Sequence, residues 1–134
     1  TGPGYGNLGI FTIYAARFRL YEEGYATLDC DNQNDRFTVN DTTIGNGALT
    51  YPIGLISVDE ASMAGLVAET ENTSNYLYNN LDYWVFTPSY MTDEGYPDVF
   101  IIRDYGGINN TGIGAEINVR PVISIDSRIY VTGW

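Results

Sequence analysis

Hydrophobic positions along this chain come in short clusters separated by polar, glycine-rich stretches, and each cluster is too short for more than one element. Residues 10–23, IFTIYAARFRLYEE, place Phe11, Tyr14, Phe18 and Tyr21 at spacings of three and four, which predicts one face of a helix. Gly24 follows as a C′ residue. The Ile, Thr, Tyr and Phe content of the same stretch supports a competing strand reading. Residues 25–36 read as a loop, and Phe37-Thr38-Val39 as a short strand. Residues 40–47, NDTTIGNG, are turn chemistry, with Asn46-Gly47 suited to φ > 0. An apolar strand is expected over 49–56, with Pro52 near its start. Ser57-Val58-Asp59-Glu60 is a capping box, since a serine hydroxyl can accept from the N3 amide while the N3 glutamate reaches back. It predicts a helix running to Ala64 and ended by Gly65.

After a polar loop over 66–75, the second half reads as strands. Tyr83-Trp84-Val85-Phe86-Thr87 is a strand stopped by Pro88, and Asp98-Val99-Phe100-Ile101-Ile102-Arg103 a buried one. Gly-rich segments over 93–97 and 104–114 flank the latter. Residues 116–125 form a further strand candidate interrupted by Pro121, hence an edge or a bulge. Residues 128–132 make a last short one. The expected class is α+β, with short helices in the first half and a small, mostly antiparallel sheet with long loops in the second. A length of 134 residues gives one domain, 1–134.

Charge narrows the function. There are 17 acidic residues against six arginines, with no lysine and no histidine, for a net charge of −11. Such a chain repels phosphates and anionic lipid, which excludes nucleic-acid binding. No apolar run is long enough to span a bilayer, so no membrane insertion is expected. Lacking histidine and lysine, the chain has no Ser-His or Cys-His pair, no imidazole metal site and no Schiff base. No enzyme activity is expected. A carboxylate-based glycan hydrolase using Asp93, Glu94, Asp98 or Asp104 is the weakest reading. The oxygen-rich run Asp31, Asn32, Asn34 and Asp35 lacks the bidentate glutamate of a calcium loop, so it reads as a solvated turn; no metal or cofactor is expected. Cys30 is the only cysteine, a small hydrophobe, half of a bridge to a segment beyond this sequence, or a thiol disfavoured by Asp29 and Asp31. Asn40, Asn72 and Asn109 each begin a glycosylation sequon, a pattern short enough to arise by chance.

The region 79–124 combines Tyr, Asn, Gly and acidic residues, the composition of binding surfaces. Tyr90, Tyr96, Asp98, Arg103, Tyr105, Asn109 and Asn110 are the candidates for one exposed ligand-binding face. Three strings, GNGALTYPIGLISVDEASMAG at 45–65, YLYNNLDYWVFTPS at 76–89 and NVRPVISI at 118–125, together resemble a group of Firmicute extracellular proteins, many with a prepilin-like export segment. The likeness covers about residues 14–125, and its last two elements also resemble the C-terminal half of C-type-lectin-like and formylglycine-generating-enzyme-like folds. A glycine usual before Val-Arg-Pro in that group is here Asn118.

The resemblance implies a cell-surface or extracellular adhesion module, the C-terminal part of a longer bacterial protein, with Cys30 the half of a disulfide to an earlier segment. It implies Tyr83 and Trp84 in the core or its rim, and a central strand over 119–123. Residues 89–117 would form a variable loop surface for a glycan or protein ligand. Arg120 is expected as a structural ion pair or carbonyl clamp, with Asp59, Glu60 or a loop carbonyl as partner. The alternative is a structural subunit of a surface filament, pilus or virion, its Tyr-rich surface packing against further copies.

Overall fold

A computed structural model describes residues 12–30 and 32–123. They divide into two units, one of residues 12–28 with 55–120, the other of residues 29–54 with 121–123. The class is α+β.

In the larger unit, strands β2 (Tyr83–Met91), β3 (Pro97–Ile102) and β4 (Ile108–Gly112) form an antiparallel sheet in the order β2-β3-β4. On the inner face, Phe100 and Ile102 of β3, Ile108 of β4 and Tyr83 and Val85 of β2 are buried with Val58, Ala61, Leu66 and Leu77. Burying one such side chain stabilises by about 1.5–3 kcal/mol. Helix α1 (Ala15–Phe18) continues as a π-helical turn, Arg19–Glu23, and closes on Gly24 at φ 72°. It lays Ala16, Leu20 and Tyr21 on this core. Both readings of residues 10–23 are thus partly right. Residues 12–14 are extended, with Met91 donating to the Thr12 carbonyl and Tyr14 to the Ser89 carbonyl, and the helix begins only at Ala15. Ile10 and Phe11 lie outside the described residues.

Helix α2 (Val58–Met63) is capped as expected. The Glu60 amide donates to Ser57 Oγ at 3.2 Å, and the Ser57 amide to Glu60 Oε2 at 2.8 Å. Gly65 follows at φ 97°.

Six expectations need correction. Strand β2 does not stop at Pro88 but runs to Met91. Register shifts fall on either side of that proline, and a residue without an N–H is tolerated at such a bulge. The glycine-rich stretch 104–114 contains β4, because Ile108–Gly112 pairs along Pro97–Ile102 in continuous register. The Phe37-Thr38-Val39 strand does not form; there the Asn46 side chain accepts from the Thr38 amide and donates to the Thr38 carbonyl, taking the place of a partner strand. Of the 49–56 strand only β1 (Ile53–Leu55) forms, and of the 116–125 strand only β5 (Pro121–Ile123); these two make a separate two-stranded sheet. The 119–123 segment is therefore not a central strand: Val119 and Ile123 are exposed, as a proline at 121 requires of an edge. Positions 124–125 and the strand expected over 128–132 lie outside the described residues.

Candidate functional site

The seven candidates do not share one face. Three of them belong to a polar network on the helix-covered side of the sheet, built around Arg17, a residue the sequence did not single out. Helix α1 carries its guanidinium between the rings of Tyr21 and Tyr90, with the cation 4.6 Å from each centroid. It donates to Ser89 Oγ at 3.0 Å and to Asn110 Oδ1 at 2.6 Å. Asn110 in turn donates to Asp98 Oδ2 at 2.7 Å. Asp98 and Ser89 are buried. The asparagine relays a buried carboxylate to a cation, so neither charge is left uncompensated. Burial raises the Tyr21 pKa, the nearby Arg17 charge opposing it. Its buried hydroxyl has no hydrogen-bond partner among the described residues. This constellation is a tie between α1, β2, β3 and β4, its polar groups bonded to one another.

Asn109 sits one residue along β4 from Asn110, so its side chain points to the opposite face. It donates to the Tyr105 hydroxyl at 3.4 Å. Arg103 pairs with Asp82 at 3.1 Å and lies 4.0 Å from Asp104, with its guanidinium 6.0 Å from the Tyr105 ring. Tyr96 stands apart, exposed in the turn between β2 and β3.

Arg120 is a carbonyl clamp: it donates to the carbonyls of Leu77 and Tyr76 and packs 5.5 Å from the Tyr83 ring. Asp59, weighed as its partner, is taken instead by Arg19 at 2.9 Å and by the Thr27 amide. Tyr83 is fully buried and donates to the Leu77 carbonyl. Its pKa is raised by burial, with Arg120 opposing. Trp84 is half-buried and points to the opposite face of β2 from Tyr83. Cys30 is a free, half-buried thiol donating to the Asn32 carbonyl. Asn32 accepts from the Asn34 amide, so part of the oxygen-rich run caps its own turn.

An open apolar groove lies among the described residues on the outer face of the sheet. Leu55, Trp84, Val85, Phe86, Val99 and Ile113 line this groove of about 280 Å³. Phe86 is 53% exposed and Ile113 59%. Strand alternation produces it: Tyr83 and Val85 point inward, so Trp84 and Phe86 must point out. The segment after β4 frames it. Ile113 donates to the Pro97 carbonyl, and Asn118 donates to the Asp82 carbonyl while accepting from the Trp84 amide. This strap therefore links the β4 side of the sheet to the outer edge of β2, with exposed Glu116 on it. None of the groove residues was among the seven candidates. Their signal was present in YWVF, where aromatic residues occupy both phases of a period-two pattern though only one phase faces the core. No family model, no curated protein and no solved structure matches the chain.

Proposed function

We propose that this chain is a binding module that takes a protein ligand on the outer face of its β2-β3-β4 sheet. The observation that carries the reading is the groove of Trp84, Phe86, Val99 and Ile113, an exposed apolar surface on a sheet whose inner face already has its core. Apolar surface that no core requires is characteristic of interaction sites. Of the two ligand classes in view, the lining favours protein over glycan. Its side chains are aliphatic or aromatic, and the Trp84 indole is the one hydrogen-bonding group among them. The module's setting is extracellular, at a bacterial cell surface, with a C-type-lectin-like arrangement; the sequence resemblance supports this, and the α+β class is compatible with it. The reading is of a binder, and the Asp98 carboxylate has a structural part in it, bonded by Asn110, which Arg17 bonds in turn. A filament or virion subunit is less favoured, because copies each carrying a net charge of −11 repel.

The test is an array of immobilised surface proteins and glycans probed with the wild-type chain and with Phe86→Glu, whose fold is checked by circular dichroism. Binding to protein spots should be lost in Phe86→Glu and kept in Tyr96→Ala. A signal confined to glycans, or one indifferent to Phe86→Glu, overturns the reading.

A further inference from the structure

We infer that the ligand of the outer groove is a polypeptide segment whose apolar side chains are flanked by lysine or arginine; this rests on the binding role proposed above and specifies its partner.

The first argument is the disposition of positive charge. The unit that bears the groove holds twelve carboxylates against four arginines and no lysine. All four arginines are engaged within the chain. Arg17 is held between two tyrosines, Arg19 by Asp59, Arg103 by Asp82, and Arg120 by the Leu77 and Tyr76 carbonyls. Exposed carboxylates, by contrast, include Glu22, Glu23, Glu69, Glu71, Asp93 and Glu94. An acidic partner would find no uncommitted cation on the described surface of this unit, while a basic one meets a field of its own opposite sign.

The second argument is local. Glu116 is exposed on the strap that starts at Ile113, a lining residue of the groove, and it enters no ion pair among the described residues. A cationic side chain beside an apolar anchor would reach it. The third is size. A groove of about 280 Å³ falls just below the roughly 300–1,000 Å³ of small-molecule pockets, which suits one or two side chains of a longer segment. Affinity then comes from apolar burial in the groove, and selectivity from charge at its rim. A second copy of the chain fits poorly, since it would bring the same negative field.

Three fluorescein-labelled peptides test the inference. They share one aliphatic and phenylalanine core and differ in flanks of lysine, serine or glutamate. Fluorescence anisotropy is read with the whole chain, with Phe86→Glu and Ile113→Glu as separate groove variants, and with Glu116→Gln. At low salt the lysine peptide should bind at least about tenfold tighter than the glutamate peptide. The gap should close toward 1 M salt, where the screening length falls to about 3 Å. Both groove variants should abolish binding of all three, and Glu116→Gln should narrow the gap. Equal affinities that are lost in both groove variants would overturn the cationic flanks while leaving the binding role intact. Lysine-peptide binding that survives both groove variants would be charge attraction alone and would overturn the inference. Failure of every peptide to bind would overturn it together with its parent reading.

Discussion

Replacing Arg17 with methionine should destabilise the larger unit more than any other single change to an arginine. Methionine keeps most of the packing volume between Tyr21 and Tyr90 but removes the cation. Two ring contacts at 4.6 Å are lost, each worth about 0.5–2 kcal/mol. Ser89 Oγ and Asn110 Oδ1 lose their donor, and an acceptor stranded in a buried setting costs about 1–3 kcal/mol. Asn110 can no longer relay positive charge to Asp98, which is 8% exposed. Even at the low end of each range the loss is about 3 kcal/mol, a large part of the roughly 5–15 kcal/mol that holds a domain folded. The assay is urea unfolding followed by far-ultraviolet circular dichroism. At a typical slope the midpoint should fall by roughly 1–3 M. Arg17→Lys keeps the charge but not the fork, and should recover about half of the loss. A double-mutant cycle with Tyr90→Leu should give a coupling of about 1 kcal/mol. An Arg17→Met variant within about 0.5 kcal/mol of wild type would refute the reasoning and make the network an accident of proximity.

Further outcomes follow from single contacts. Ser57→Ala removes the hydroxyl half of the capping box while keeping the backbone amide that donates to Glu60, and should cost about 1 kcal/mol, read by thermal melting. Gly106→Ala should cost more: the residue sits at φ 82°, and a Cβ there would lie 2.4 Å from the Asn72 carbonyl oxygen, so a melting temperature lowered by on the order of 10 °C is expected. The Asp41 carboxyl, held low first by the Thr43 hydroxyl and then by the Thr43 amide, should titrate by NMR below the ordinary aspartate value and return toward it in Thr43→Val. Its folded pKa lies below its unfolded one, so what it adds is present above the unfolded value and lost as pH falls through the folded one. Tyr21 and Tyr83 carry the opposite sign, with folded pKa values above 10.0; stability is complete below about pH 10 and declines as pH rises through those values, and Tyr21→Phe should reduce that decline in an alkaline unfolding curve.

The parts of the fold legible in the sequence are those whose signals are local. The Ser57–Glu60 box and the positive-φ glycines at 24 and 65 act over a few residues, and the helix ends fall where they indicate. The core of β3 was legible too, since Phe100, Ile101 and Ile102 are apolar on both phases and need no partner to be recognised. What was not legible depends on pairing between distant segments. In Ile108-Asn109-Asn110-Thr111-Gly112 two asparagines and a glycine outweigh the β-branched Ile108 and Thr111, and register against β3 makes the segment a strand. The same pairing sends Asn109 and Asn110 to opposite faces and Asp98 inward, dispersing residues that composition alone had grouped. Arg17 gave no warning, because its partners lie 72 and 93 residues away.

That dispersal has a physical logic that bears on what the surface can recognise. A chain with six arginines and no lysine has few long cationic side chains with which to join segments remote in sequence. A planar guanidinium can stack on rings and donate in several directions at once, whereas an ammonium is a compact point charge. Four arginines of the larger unit do such joining: Arg17 ties helix to sheet, Arg19 ties the π-helical turn to Asp59, Arg103 ties Asp82 to the far end of β3, and Arg120 fixes the 76–77 carbonyls beside Tyr83. Tyrosine and asparagine are the natural counterparts of these clamps, one offering a ring and the other an oxygen. Their abundance in the second half therefore serves internal joints at Tyr90, Asn110 and Tyr83 as well as any outside partner. Once those are committed, what remains exposed includes the apolar Phe86 and Ile113 of the groove and carboxylates such as Glu116. Under the binding role proposed above, partners are selected by the reverse pattern, apolar against the groove and cationic toward Glu116.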